Sequence, residues 1–237
     1  MLERISIVMP VYNEAEIIEE TITIFIGILA GMAVDFEIIV VNDGSNDGTG
    51  DILAKISALR NNVKVVNNEK NLGSGASLWA GLKAASGDLV MSNFADRPFD
   101  MRDLEYILPV FGTENVDFII VARKDRSANT LYRKATSYFN YLLIKLLFNY
   151  KIKDYQFVQI YRKEILKHID IKSAGTFMAP ELIIKLISAG YSYKQVQCDF
   201  HKRPGGLSKC GKPQVIIKTI IEMLNFRFSH RFNRQNI

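Results

Sequence analysis

The run Phe36-Glu37-Ile38-Ile39-Val40-Val41-Asn42-Asp43-Gly44-Ser45-Asn46-Asp47-Gly48-Thr49 decides how this chain is read. From Phe36 to Val41 it is apolar but for Glu37, which predicts a buried strand. The strand stops at a carboxylate, turns through Gly44 and restarts near Asp47 as a helix. That is one strand-to-helix step of an open α/β sheet, where ligands sit outside the carboxyl ends of the strands. Asp43 stands there, placed to accept hydrogen bonds from a base or a ribose hydroxyl. Asp43 and Asp47 equally suit turn closure and helix capping, so the stretch alone leaves both roles open.

The same alternation extends outward in both directions. Upstream, Ile5 to Met9 is a short apolar run ended by Pro10. Pro10-Val11-Tyr12-Asn13-Glu14 reads as a loop, and helical spacing runs from Glu14 to about Leu29. Downstream come a helix to Leu59, a strand at Val63 to Val66, and the glycine-rich turn Asn71-Leu72-Gly73-Ser74-Gly75-Ala76 into a helix ending near Ser86-Gly87. A strand at Asp88 to Asn93, the loop Phe94-Ala95-Asp96-Arg97-Pro98, a helix at Met101 to Val110 and a strand at Phe118 to Ala122 follow. Strand and helix in turn predict a mostly parallel sheet with helices on both faces.

Past that point Tyr132 to Phe148 is aromatic and aliphatic with few charges. Phe157 to Tyr161 and Tyr191 to Phe200 read as strands, Pro180 to Ala189 and Val215 to Phe228 as helices. We expect an α/β catalytic domain over 1–210 and an amphipathic, basic extension over 211–237, with no repeat or low-complexity linker.

The 237 residues, 48% hydrophobic, suffice for one sizeable core. Cys198 and Cys210 lack metal-ligand spacing and read as reduced thiols. The chain enters a strand directly after Met1-Leu2-Glu3-Arg4, so no signal peptide is expected. No apolar run approaches the roughly 18 residues of a membrane span. A net charge of +5 is a mild excess that suits phosphate-bearing ligands, an anionic membrane surface or no specific partner. No basic stripe interleaved with aromatics appears, so nucleic acid is not an expected partner.

Three motifs occur in order: Pro10-Val11-Tyr12-Asn13-Glu14 after the first strand, Asn42-Asp43-Gly44-Ser45-Asn46-Asp47-Gly48-Thr49 after the second, and Asn71 to Ala76 before Gly87-Asp88. Together they resemble the inverting GT-A glycosyltransferases of family 2, in particular the polyprenyl-phosphate branch to which dolichol-phosphate mannose synthase belongs. The resemblance covers roughly residues 4 to 210. It implies a nucleotide-sugar donor, GDP- or UDP-linked, at the carboxyl ends of the strands. It implies that Pro10, Tyr12 and Glu14 line the base pocket and that Asp43 holds base or ribose.

The family carries Asp-x-Asp after the fourth strand, followed by a further polar ligand. Here Phe94-Ala95-Asp96 has lost the first carboxylate, and Pro98 stands where the further ligand is expected. Asp96 remains as the implied holder of Mg²⁺ or Mn²⁺, since such an ion accepts one or two carboxylates plus substrate phosphates. Arg97 or another cation is a candidate to share the stabilisation of the leaving diphosphate.

A hydroxyl acceptor needs a general base, whereas a phosphate is already an anion. Neither a Glu-Asp pair ahead of a helix nor Gln-x-x-Arg-Trp occurs, and Glu181 stands alone, which argues against a processive polysaccharide synthase. By resemblance, Arg123, Arg133 and Ser137 grip a lipid phosphate, the last two at helical i, i+4 spacing. Arg203, Ser208 and Lys209 reach the donor phosphates or close over the site, with Arg203 counted among the catalytic residues beside Asp96 and Arg123. Asp154-Tyr155-Gln156 matches the family's sugar- and acceptor-lining stretch only at the Asp.

The expectation is single hexose transfer to a polyprenyl phosphate, at the cytoplasmic face of a membrane. The apolar stretches 138–148 and 215–228 would lie on the lipid, with room for a small membrane partner protein, or else pack into the core. Two alternatives stay open: a saccharide or other hydroxyl acceptor, and a non-catalytic nucleotide-sugar binding protein suggested by Phe94. A dehydrogenase fits poorly, because the first turn lacks Gly-x-Gly-x-x-Gly.

Overall fold

One seven-stranded sheet organises the chain, and nearly every apolar run of the sequence is spent on its two faces. The computed structural model describes residues 4–32, 34–124, 131–199 and 213–229; the side chains of 131–137 and 213 lie outside that description. In chain order the strands are β1 (Ile5–Val11), β2 (Phe36–Asn42), β3 (Val63–Asn67), β4 (Leu89–Ser92), β5 (Phe118–Arg123), β6 (Val158–Arg162) and β7 (Tyr193–Cys198). Across the sheet they lie β3-β2-β1-β4-β6-β5-β7. β6 runs antiparallel to both β4 and β5, and the other pairings are parallel. The carboxyl ends of β1, β2, β4 and β5, and the amino end of β6, therefore share one edge.

Both faces are covered, as a mostly parallel sheet requires. Ile7, Met9, Ile38 and Val40 turn to one face, where α1 (Ile18–Gly31) and α2 (Thr49–Leu59) pack. Val8, Ile39 and Val41 turn to the other, against α3 (Ser74–Ala84). That second layer also holds α6 (Leu131–Phe148), α7 (Met178–Ser188) and α8 (Pro213–Ser229), through Ile144, Phe148, Leu182, Met223 and Phe226.

Two expectations are corrected by local chemistry. Pro10 does not end the first strand; β1 continues to Val11 opposite Asn42. Even-numbered residues of β1 bond toward β4, whose pairing stops at Val8↔Ser92, so the missing N–H of Pro10 costs no ladder bond. The single helix expected over 101–110 is three pieces: a 3₁₀ turn at Met101–Asp103, α4 (Leu104–Ile107) and α5 (Pro109–Thr113). The Asp100 carboxylate caps the first by accepting from the Arg102 N–H, and Pro109 opens the last.

Glu37, the break in the apolar run, is fully buried at the amino end of β2. It accepts from Ser6 Oγ (2.7 Å), Ser86 N (2.6 Å) and Ser86 Oγ (2.8 Å), and pairs with Lys64 Nζ at 2.7 Å. Burial raises its pKa, but the bonds from Lys64, Ser6 and Ser86 together win and bring it down to about 2. Among the described residues no helix is long and apolar enough to cross a membrane.

Candidate active site

The loops after β1 and β2 are laced together at the carboxyl edge. Asn13 adopts φ 56°, a left-handed conformation that asparagine tolerates, and its Oδ1 accepts from Asn46 N at 2.9 Å. Asn13 N donates to Ser45 Oγ, Glu14 N to Thr49 Oγ1 and Ala15 N to Asp47 Oδ2, at 3.0 to 3.1 Å. Asp47 also accepts from the N–H and hydroxyl of Thr49, at 3.0 and 2.5 Å. Burial acts to raise its pKa, but the bonds from Thr49 and the Ala15 N–H outweigh it and hold the carboxyl below its ordinary value. Asp47 thus closes the turn, the plainer of its two roles. Pro10, Tyr12 and Glu14 are half-buried on the edge this lacing shapes.

Asp43 is buried, and its carboxylate organises the glycine-rich turn. Oδ1 accepts from Leu72 N at 2.8 Å and Asn68 Nδ2 at 3.0 Å, and Oδ2 from Gly73 N at 3.0 Å. Gly73 takes φ +99°, open to glycine at little cost. A Cβ on Gly75 would lie 2.1 Å from the Gly175 carbonyl oxygen, so the turn approaches its neighbour too closely for any side chain. Asn68 was not singled out from sequence. The asparagine-rich context of Asn67-Asn68 was the available signal, but no periodicity points to a residue acting across a strand end.

After β4, Thr21 Oγ1 of α1 donates to the Ala95 carbonyl at 2.8 Å and fixes the next loop. Phe94, Asp96 and Arg97 are half-buried there. Arg97 sits at φ 51°, and its Nη1 meets Glu20 Oε1 at 3.2 Å. No cluster of three or more metal-ligating side chains occurs among the described residues.

Arg123 ends β5 beside Asp154, which lies just ahead of β6. The guanidinium clasps this buried carboxylate twice, Nε–Oδ2 at 2.7 Å and Nη2–Oδ1 at 3.2 Å, and lies 5.5 Å from the Phe157 ring centre. These two with Asn140, Tyr141, Ile144 and Gln156 line a small open cleft. Glu181 is elsewhere engaged: buried in α7, it accepts from Lys172 N, Ser173 N and Lys185 Nζ, the last at 2.6 Å. Burial would raise its pKa, but those bonds lower it.

The fold thus brings Pro10, Tyr12, Glu14, Asp43, Asp96 and Arg123 to one edge. Arg133 and Ser137 fall within α6, with side chains outside the description. Arg203, Ser208 and Lys209 lie outside the described residues altogether.

The glycosyl transferase family 2 model matches residues 6–170, a span that contains the loops after β1, β2 and β4, the glycine-rich turn and Arg123, and ends before Arg203, Ser208 and Lys209. The chain belongs to glycosyl transferase family 2. It is similar to the dodecaprenyl-phosphate galacturonate synthase of Rhizobium johnstonii, 24% identical over 231 residues, covering 96% of this chain and 68% of that protein. It is also similar to the undecaprenyl-phosphate 4-deoxy-4-formamido-L-arabinose transferase of Salmonella paratyphi A, 27% identical over 168 residues, 70% of this chain and half of that protein. The fold of this family 2 chain is GT-A. It superposes with a TM-score of 0.68 on the glucosyl-3-phosphoglycerate synthase of Mycobacterium tuberculosis, solved with Mn²⁺, UDP and glucosyl-3-phosphoglycerate, at 20% identity over 98% of this chain and 82% of that one.

Proposed function

We propose that this chain transfers one hexose, with inversion, from a UDP- or GDP-sugar to a polyprenyl phosphate at the cytoplasmic face of a membrane. The observation that carries the reading is the convergence of the laced donor loops and the Arg123 cleft on one sheet edge. Two relatives named for polyprenyl-phosphate sugar transfer support it. The donor's base would lie against Pro10, Tyr12 and Glu14, over the loop that Asp43 holds. A lipid phosphate oxygen attacks the anomeric carbon from the face opposite the diphosphate. The new C–O bond forms as the bond to the nucleotide oxygen breaks, and the nucleoside diphosphate leaves with that electron pair.

No general base is needed, because the acceptor arrives ionised, and the described candidate Glu181 is committed to Lys185 and two backbone N–H groups. Arg123, with Arg133 and Ser137, would orient the acceptor phosphate. Arg203, Ser208 and Lys209 would reach the donor phosphates. A divalent ion would take one protein carboxylate, Asp96, on a half-buried loop at this edge. The diphosphate and water would complete the shell, a set Mg²⁺ and Mn²⁺ accept. When bound, it supplies neutralisation of the diphosphate charge.

The membrane address would be a two-helix face. On α6, Tyr138, Phe139, Leu142 and Leu146 are exposed; on α8, Ile217, Ile221, Leu224 and Phe228 are, with Leu146 at 78% and Phe228 at 84%. Arg227 Nε donates to the Leu147 carbonyl and joins the helices. Lys145 and Lys218 flank the face, and α6 contains no acid. Such a surface suits anionic headgroups and the acyl boundary beneath them; a small membrane protein is the alternative occupant.

The test supplies purified protein with radiolabelled UDP- and GDP-sugars, polyprenyl phosphate and Mg²⁺ or Mn²⁺. Label in the organic phase supports the reading; label that stays aqueous with every donor opposes it. One observation favours a second reading. Phe94 in place of a carboxylate would suit a non-catalytic binder, for which calorimetry would show donor binding without turnover.

A further inference from the structure

α8 has two working faces. Its exposed face is the apolar row Ile217, Ile221, Leu224 and Phe228. Its inward face carries Thr219, Glu222, Met223 and Phe226, and all four reach the segment that walls the glycine-rich turn or the cluster behind it. Glu222 Oε1 accepts from Gly175 N at 3.0 Å, and Thr219 Oγ1 meets Thr176 Oγ1 at 2.6 Å. Phe226 lies 5.7 Å from Phe177 and 5.6 Å from Phe148 of α6, centroid to centroid. Met223 is fully buried in the same core.

The walling segment in turn touches the turn directly. Ala76 N donates to the Ala174 carbonyl at 3.0 Å. A Cβ on Gly73 would meet that oxygen at 2.9 Å, and one on Gly75 would meet the Gly175 oxygen at 2.1 Å. On its far side the turn is held by Asp43. α8 and the segment around Ala174 to Phe177 thus connect the exposed apolar row to the loop that the donor would use.

Glu222 is the single acidic residue of α8, among apolar, basic and neutral polar neighbours. Its Oε2 is sealed from solvent and makes no hydrogen bond among the described residues. Leaving a carboxylate oxygen in that state is unfavourable, and as packing alone a methionine or leucine would suit the site better. The side chain is therefore placed for its hold on Gly175, where a Cβ would meet its oxygens at 2.9 and 3.1 Å.

We infer that Glu222 is a positioning residue through which seating of α8 on a lipid surface sets the glycine-rich turn and tightens nucleotide binding. This rests on the membrane reading above and adds its consequence: the donor site responds to the surface. A ligand shifts a conformation only by its differential affinity for the two states, so the coupling must appear in both directions.

The test uses the full chain, UDP and GDP as probes, and phosphatidylcholine–phosphatidylglycerol vesicles. Nucleotide affinity is measured by calorimetry with and without vesicles, and vesicle binding by co-sedimentation. Wild type is expected to co-sediment and to bind its nucleotide about fivefold tighter or more when vesicles are present. Glu222→Ala should co-sediment equally and lose that gain, while Glu222→Gln, which keeps an acceptor for Gly175, should retain most of it. Matching far-ultraviolet circular dichroism and thermal midpoints would show that both variants fold. A wild type that co-sediments with unchanged affinity overturns the inference, as does a Glu222→Ala chain that keeps the full gain. Absence of co-sedimentation removes the membrane reading itself, and absence of nucleotide binding in every condition removes the donor reading, each taking the inference with it.

Discussion

Glu37 enters β2 and Asp43 follows its last residue, and each is a buried carboxylate that accepts several hydrogen bonds from the protein. Glu37 stabilises the amino end of the sheet through Ser6, Ser86 and Lys64. Its folded pKa is lowered from 4.5 to about 2, so it contributes stability that is complete above 4.5 and is lost as pH falls toward 2. That window corresponds to about 3 kcal/mol. Urea unfolding of Glu37→Gln should show a deficit of this order at neutral pH, shrinking through the acid range. Asp43→Ala would strand the Leu72 and Gly73 N–H groups and is expected to cost on the order of 3 kcal/mol, with weaker nucleotide binding by calorimetry. Arg123→Lys keeps the charge but loses the two-point clasp on Asp154. It should lower transfer by roughly 10- to 100-fold, with a far smaller loss of stability, read as initial rate against thermal midpoint.

At the scale of elements, the strands and their covering helices were legible because buried parallel strands leave unbroken Val and Ile runs. What local pattern could not carry was context. Pro10 continues a strand only because β4 ends opposite Val8, a fact about a partner more than eighty positions on. The helix after β4 breaks because Asp100 and Pro109 each start a new segment. The closeness of the glycine-rich turn to Gly175 is likewise a tertiary fact, and Gly75→Ala should destabilise the chain or displace the turn, seen as lost nucleotide affinity. The apolar stretches 138–148 and 215–228 divide in the fold: Ile144, Phe148, Met223 and Phe226 pack into the core, while Leu146 and Phe228 are among the large residues left exposed. Leu146→Ser with Phe228→Ser should cut vesicle co-sedimentation by roughly tenfold per residue, given about 1.5–3 kcal/mol for each buried apolar side chain, without changing the circular dichroism spectrum.

At the scale of the molecule, the topology does the gathering. Parallel β1, β2, β4 and β5 deliver Tyr12, Asp43, Asp96 and Arg123 to one edge, while antiparallel β6 returns Asp154 to meet Arg123. The motif residues were readable because each follows a strand that the pattern predicts. Their pairings were not: Asp43 with the glycine-rich turn, Arg123 with Asp154 and Arg97 with Glu20 depend on which strands become neighbours. On the proposed function, two anions, one nucleotidic and one lipidic, meet at this edge and pass a sugar between them. The direct measurement incubates the purified chain with labelled nucleotide sugar, with and without polyprenyl phosphate, and follows label and nucleoside diphosphate together. Organic-phase label and released diphosphate are expected in equal amounts, both dependent on the lipid; label that remains aqueous, or diphosphate released without lipid, would overturn the proposed transfer.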